Sequence, residues 1–178
     1  LYDEIRYFEL QMLASRGEIR KLAQQINKGI TFDASRALEK MLYTALINEA
    51  SGDLKTAERL YSILGVWNPY FENGILAAAN FYRSHDLKSA KAYNLLAEAI
   101  QVNSASIRLL KAYAAEASRQ GLDEYATSAA QRIADLEERN RWYKNEAIGL
   151  RGLASYHLLF YHVRFSGRLL FVPMTLSR

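Results

Sequence analysis

A seven-residue phrase occurs twice in this chain and constrains its fold more than any other feature. Ser51-Gly-Asp-Leu-Lys-Thr-Ala57 is followed 33 residues later by Ser84-His-Asp-Leu-Lys-Ser-Ala90. Fainter copies begin at Gly17 and Gly121, 35 residues before Gly52 and 36 residues after His85. A fixed period of this length indicates stacked structural repeats, so the chain is expected to contain about four copies of one small structural unit.

Amphipathic stretches flank each copy of the phrase. Apolar residues recur in them at three-and-four spacing, as at Ile107, Leu110 and Tyr113, and this spacing predicts α-helices. The predicted first helices are 3–15, 36–50, 71–83 and 106–119, and the predicted second helices are 18–27, 54–67, 87–102 and 123–138. Each unit is therefore a helix, a tight turn and a second helix, followed by a helix-breaking linker such as Asn68-Pro69.

The phrase itself has the residues of a turn between two helices. Glycine holds the turn position in three of the copies, at Gly17, Gly52 and Gly121. These glycines are predicted to end the first helices in a left-handed conformation, which glycine adopts without steric cost. His85 takes the same place in the third copy, and histidine is among the residues that tolerate a positive φ. Asp53 and Asp86 are predicted to cap the second helices by accepting hydrogen bonds from their first N–H groups.

Small residues recur at matching places in the two helices of a unit. Ala45 and Ala78 hold one place in the first helices, and Ala57, Ala90 and Ala126 hold one place in the second helices. Alanine at both places predicts that the paired helices approach each other closely.

This pattern resembles the tetratricopeptide repeat (TPR) family. The signature of that family has a small residue in each helix, glycine at the turn, an aromatic residue in the second helix and proline at its end. The second copy matches it with Ala45, Gly52, Ala57, Tyr61 and Pro69. The third copy keeps Ala78 and Ala90 but lacks the glycine and the proline, and it has roughly two extra residues in its second helix. The first and fourth copies match more loosely.

The resemblance covers residues 3–138, in units of about 3–30, 36–69, 71–104 and 106–138. It implies an all-α superhelix, or solenoid, of tetratricopeptide-like helix-turn-helix repeats. It also implies a non-catalytic scaffold for protein–protein interaction, because the first helices of the family line a concave groove that binds a segment of a partner protein.

Fifteen positions of the first helices are expected from the resemblance to face this groove. They are Tyr7, Gln11, Glu39, Leu42, Leu46, Glu49, Glu72, Ile75, Ala79, Tyr82, Arg83, Arg108, Lys111, Ala115 and Arg119. Some members of the family capture a C-terminal carboxylate of a chaperone with Lys and Asn side chains. The central positions here are apolar, so this mode of binding is not expected.

The expected groove is apolar in its middle, acidic toward the first two units and basic in the fourth. This distribution suits an amphipathic helix or an extended apolar segment with a polarised charge pattern. Leu42, Leu46 and Ile75 also have a second interpretation. They are core residues if neighbouring helices, or further repeats of a longer protein, cover them, because apolar stripes at helical spacing commonly form core.

Catalytic and metal-binding patterns are missing from the sequence. It has no cysteine, no His-Glu-x-x-His, no glycine-rich phosphate loop and no Gly-x-Ser-x-Gly. His157 and His162 are five residues apart, so on a helix they point in different directions, and no cluster of acids lies nearby. We therefore expect neither enzyme activity nor a cofactor.

RNA binding is the alternative function, because some helical repeats of about 35 residues read RNA one base per unit. Arg108, Lys111 and Arg119 form a basic stripe that suits this alternative. The near-neutral charge of residues 1–139 argues against it, since nucleic-acid binding needs positive charge along the whole groove.

Residues 140–178 differ in composition from the repeats and are treated as a separate region. They carry six Arg or Lys and a single Glu, and they are rich in Phe, Tyr and Leu. A closing helix over 143–163 followed by an irregular tail is one interpretation, and a hairpin of 161–165 with 168–172 is another. The basic, aromatic composition also suits docking to a membrane surface or a partner, self-association, or a non-native origin.

The compartment is left open by the sequence. No stretch reaches the ~18 apolar residues of a membrane-spanning helix, and no signal-peptide pattern opens the chain. These features favour a soluble cytoplasmic protein over an exported one. The opening Leu1-Tyr2 has no initiator methionine, which indicates a processed product or a fragment of a larger repeat protein.

Overall fold

The computed structural model describes residues 2–85 and 90–165, with side chains described for residues 4–65, 68–85 and 90–145. This part of the chain forms eight α-helices and no β-strand, which confirms the all-α prediction for it. The helices are α1 (Tyr2–Ser15), α2 (Ile19–Asn27), α3 (Ala37–Ser51), α4 (Leu54–Trp67), α5 (Glu72–His85), α6 (Lys91–Val102), α7 (Ile107–Arg119) and α8 (Asp123–Phe165). A short 3-10 turn, Ala34–Arg36, precedes α3.

Three of the predicted turns are built on left-handed glycines. Gly17, Gly52 and Gly121 have φ values of 68°, 89° and 73°. At the second turn, the N–H of Gly52 donates to the carbonyl of Glu49 at 3.1 Å, and the N–H of Asp53 donates to the carbonyl of Asn48 at 2.9 Å. The same two bonds recur at the other glycines, so each turn satisfies the last carbonyls of its first helix in the same way.

The limits of α4 follow from its flanking residues. The Asp53 carboxylate accepts a hydrogen bond from the Thr56 N–H at 3.1 Å, as predicted for a cap. Asn68, which precedes Pro69, has an extended backbone and ends the helix, because a following proline disfavours the helical conformation.

His85 corrects one prediction about the third turn. It is the last residue of α5, and no residue other than glycine has a positive φ in the described ranges. A histidine in the left-handed region would carry a steric cost that glycine avoids, so the helix continues through this position. The predicted cap at Asp86 lies outside the described residues.

Ala90 corrects a second prediction. It is exposed and precedes α6, so it does not hold the buried place of Ala57. Ala92, Leu96 and Ala99 are only 2%, 2% and 4% exposed. They lie 35 residues after Ala57, Tyr61 and Leu64. The two extra residues of the third copy therefore fall before α6 rather than inside it.

The buried core connects consecutive helices. Each helix from α1 to α6 packs against the next, and α5 also contacts α3 and α7. Ala45, Ala57 and Ala78 are fully buried at the predicted small-residue places, whereas Ala126 of α8 is half-buried. Leu10 and Leu22 extend the same core into α1 and α2.

The chain divides into two compact units, Leu1–Ile133 and Ala134–Arg178. The first contains α1 to α7 and the start of α8, and the described residues of the second all belong to α8. The predicted domain boundary after residue 139 stays a prediction. The hairpin prediction is wrong for residues 161–165, which are helical, because the helix that starts at Asp123 runs through them.

The predicted closing helix over 143–163 is helical, but it continues α8 instead of starting a new element. The other half of the predicted hairpin, 168–172, lies outside the described residues. None of the described helices combines the length and the apolar composition needed to cross a membrane.

Candidate functional site

The apolar centre of the predicted groove is largely buried. Leu42, Ile75 and Ala79 are 6%, 1% and 5% exposed, and Leu46 is half-buried against the core. These burials fit the second interpretation of Leu42 and Ile75, as core residues covered by neighbouring helices. Within the described structure these side chains therefore offer a partner little surface.

Tyr7 of α1 holds the segment that joins α2 to α3. Its ring lies 5.7 Å from the ring of Phe32, and the Arg36 guanidinium lies 4.0 Å from its centroid. Its hydroxyl donates to the carbonyl of Thr31. Arg36 in turn donates to both carboxylate oxygens of Glu4, at 2.8 Å and 3.0 Å. Tyr7 therefore packs against the segment between α2 and α3. Gln11, one turn later on α1, is exposed.

Glu49 of α3 forms polar contacts with side chains of α4 and α5. The Tyr61 hydroxyl of α4 donates to its Oε2 at 2.7 Å, and Nε2 of His85 at the end of α5 lies 3.2 Å from its Oε1. Tyr61 is fully buried, and burial, followed by the hydrogen bond to Glu49, raises the pKa of its phenol far above the usual value. The Phe81 ring lies between these groups, 5.0 Å from Tyr61 and 4.8 Å from His85.

Arg108 links α7 to α5 at the N-terminal ends of the two helices. It donates to the side-chain oxygen of Asn73 at 3.0 Å and lies 3.6 Å from the carboxylate of Glu72. Asn103 donates to the same carboxylate at 3.3 Å. Glu49–His85 thus joins the C-terminal ends of α3 and α5, and Glu72–Arg108 joins the N-terminal ends of α5 and α7.

The basic positions of the fourth unit are also engaged within the chain. Glu116 of α7 is 3% exposed and accepts hydrogen bonds from Nε of Arg119 at 3.0 Å and from Gln120 at 3.2 Å. The hydrogen bond from Arg119 lowers the pKa of the Glu116 carboxyl, and the positive charge of Arg83 adds to this effect. Arg119 therefore neutralises a buried acid, which weakens the basic stripe that RNA binding would need.

The remaining predicted positions lie at the surface to different degrees. Lys111 and Ala115 are exposed, and Glu39 is half-buried near the start of α3. Tyr82 is half-buried with Nζ of Lys91 5.5 Å from its ring centroid, and burial raises the pKa of its phenol. Of the fifteen predicted positions, Glu49, Glu72 and Arg108 form bonds between helices. Six are exposed: Gln11, Arg83, Arg108, Lys111, Ala115 and Arg119.

A cleft between α4 and α6 was not anticipated from the sequence. It has a volume of about 510 Å³, and α5 supplies Ile75 and Tyr82 to its wall. On α6 it is lined by residues at three-and-four spacing, among them Leu95, Glu98 and Val102. We call this space the α4–α6 cleft.

Tyr93 of α6 and Tyr113 of α7 form a second contact that the sequence did not indicate. Their rings are stacked with centroids 5.3 Å apart, and their hydroxyls lie 3.1 Å apart. Burial and this hydrogen bond raise the pKa of Tyr113 to about 12. The pair fixes α6 against α7.

No group of three His, Asp or Glu side chains that could hold a metal ion occurs among the described residues. The chain matches no protein-family model, no curated protein and no solved structure. Its function must therefore be inferred from the arrangement of its helices and surfaces.

Proposed function

We propose that this chain is a tetratricopeptide-like repeat scaffold that binds a segment of a partner protein and performs no catalysis. In this proposal the helix pairs stack as a solenoid, and the first helices α1, α3, α5 and α7 form the binding side. The proposal covers residues up to about 138, the range of the sequence resemblance.

The observation that carries the proposal is that consecutive first helices contact each other, α3 with α5 and α5 with α7. Glu49 pairs with His85 at the C-terminal ends of α3 and α5, and Glu72 pairs with Arg108 at the N-terminal ends of α5 and α7. Contacts between each unit and the next are typical of stacked arrays. The left-handed turns at Gly52 and elsewhere support the same reading, because each reverses the chain between paired helices.

A stacked array of this kind offers its partner a surface that is already ordered. Polar links hold the first helices in place, so binding would not have to order them and would avoid that entropy cost. Exposed residues such as Gln11, Lys111 and Ala115 are the part of the predicted groove that remains open to contact. An amphipathic helix or an extended segment of a partner is the ligand that we propose for this side.

A matched pair of substitutions tests the proposal. Ala115 on α7 and Ala130 on α8 are both exposed helical alanines, so replacing either by Glu should change stability little. The full chain and both variants would be used for affinity capture, with the bound proteins identified by mass spectrometry. We expect the wild type and Ala130→Glu to retain a common partner that Ala115→Glu loses.

Retention of that partner by Ala115→Glu, or its loss from both variants, would count against a binding side formed by the first helices. Recovery of RNA with an affinity that falls steeply as salt is raised would favour the alternative function instead.

A further inference from the structure

We propose that the α4–α6 cleft is a second docking surface and that it binds an amphipathic helix of a partner protein carrying a basic residue beside its apolar stripe. This surface lies between second helices, so the inference does not depend on the proposed binding side of the first helices.

The cleft lies between α4 and α6, which both pack on α5. Lys91 bridges to Glu58 at 3.0 Å, and Leu95 lies over Gly65, where an added Cβ would be 2.8 Å from Leu95 Cδ1. The space that remains has a volume of about 510 Å³, within the range of natural binding pockets.

The length and the apolar character of the cleft suit a helix. Its α6 wall runs from Lys91 to Val102, a distance of about 16 Å at 1.5 Å per residue, or about three helical turns. Leu95 and Val102 provide apolar wall, and Val102 is 48% exposed at its end. Tyr70, next to the lining residue Pro69, is 66% exposed. An apolar stripe on a partner helix would cover these side chains.

An extended segment is a poorer occupant on physical grounds. The backbone groups of α4 and α6 are already bonded within their own helices, so they cannot pair with a strand. The uncharged side chains Ser62 on α4 and Asn94 on α6 are single polar groups and not a row that could pair with a whole strand. An extended backbone would therefore lose hydrogen bonds to water without replacing all of them, whereas a helix satisfies its own N–H and carbonyl groups.

The charge of the partner follows from Glu98. Lys91 is neutralised by Glu58, but Glu98 is an exposed acid in the cleft wall with no hydrogen bond or ion pair among the described residues. A Lys or Arg beside the apolar stripe of the partner would pair with it, which fixes the orientation of the helix.

Selection from a phage-displayed library of 14-residue peptides on the full chain tests this inference. We expect the enriched peptides to carry apolar residues at three-and-four spacing with an adjacent Lys or Arg. On Glu98→Lys the basic residue should be replaced by Asp or Glu in the selected peptides. Glu124→Lys, the same change at an exposed acid of α8, is the matched control and should select the original peptides.

Fluorescence anisotropy with one enriched peptide would then give affinities. We expect Glu98→Lys to weaken binding by about five-fold, the equivalent of one exposed ion pair of about 1 kcal/mol. Val102→Ser should weaken it further, with helical circular dichroism unchanged in both variants. Equal effects of Glu98→Lys and Glu124→Lys, or selection of no common pattern, would overturn the inference. Sedimentation showing that the chain dimerises through the cleft, with dimers lost in Val102→Ser, would also overturn it, since a second copy would then be the occupant.

Discussion

Leu42 provides the sharpest test of which apolar residues of the first helices are core. The side chain is 6% exposed and belongs to the buried cluster of α3 and α4, whereas Leu46, one turn later on α3, is half-buried at the edge of that cluster. If Leu42 is core, truncation to Ala must leave a cavity in addition to losing the transfer free energy of the removed carbons.

Buried Leu to Ala substitutions cost roughly 2–5 kcal/mol, and the near-complete burial of Leu42 places it at about 3 kcal/mol. Leu46→Ala should cost about 1 kcal/mol, because part of its side chain is already in water. With a urea m-value of about 2 kcal/mol/M, the unfolding midpoint of Leu42→Ala should fall by about 1.5 M. The matched control is Leu54→Ala, since that leucine is 39% exposed at the start of α4.

Urea unfolding followed by circular dichroism at 222 nm gives these values directly. Leu42→Ala should also lose partner capture only in proportion to its loss of folded protein. A midpoint within about 0.2 M of the wild type, together with loss of capture in a folded variant, would refute the burial argument and return Leu42 to the predicted groove.

Three further predictions concern single contacts. Tyr61→Phe and Glu49→Gln should each destabilise the chain, and a double-mutant cycle in urea should show a coupling of about 1 kcal/mol; additive effects would contradict the bond. Glu116→Gln should destabilise at pH 7 by about 2 kcal/mol, because the charged acceptor bonds Arg119. The pKa of Glu116 is lowered on folding, so this contribution is complete above its ordinary value of 4.5 and is lost progressively as the pH falls from there through the lowered folded-state pKa. The difference in unfolding free energy between the two proteins should therefore shrink as the pH is lowered from 7 to below 4.5, and a difference independent of pH would contradict the ion pair. Gly52→Ala should cost about 1 kcal/mol, since φ is 89°, and an unchanged midpoint would contradict the left-handed turn.

The helices were predictable because their limits depend on local chemistry. Glycine at a left-handed turn, Asp53 as a cap and Asn68-Pro69 as a stop act within a few residues of their own position. The third turn was harder to predict because the match between the two phrases suggested equal geometry. The burial of Ala92 in place of Ala90 depends on how α6 packs, and aligning the two phrases residue by residue does not show this packing.

The candidate site was less predictable than the fold. An apolar stripe at helical spacing has the same pattern whether it faces a partner or a neighbouring helix, so the sequence could not decide the role of Ile75. The pairing of Glu72 with Arg108 also required the packing of α5 on α7. The sequence predicted that both charged residues face the groove, but it did not predict that they form an ion pair with each other.

The links between consecutive first helices also bear on how the protein opens. Because Glu49–His85 and Glu72–Arg108 each join one unit only to the next, breaking one removes support from a single boundary and leaves the others intact. Opening should then begin at a terminus and proceed by one boundary at a time, as in a row of coupled two-state elements. Amide hydrogen exchange should accordingly be slowest in α4 and α5 and become faster toward α1. In the proposed array, a ligand that bridges two units would slow amide exchange in both, so binding at one boundary would also reduce fraying at the next.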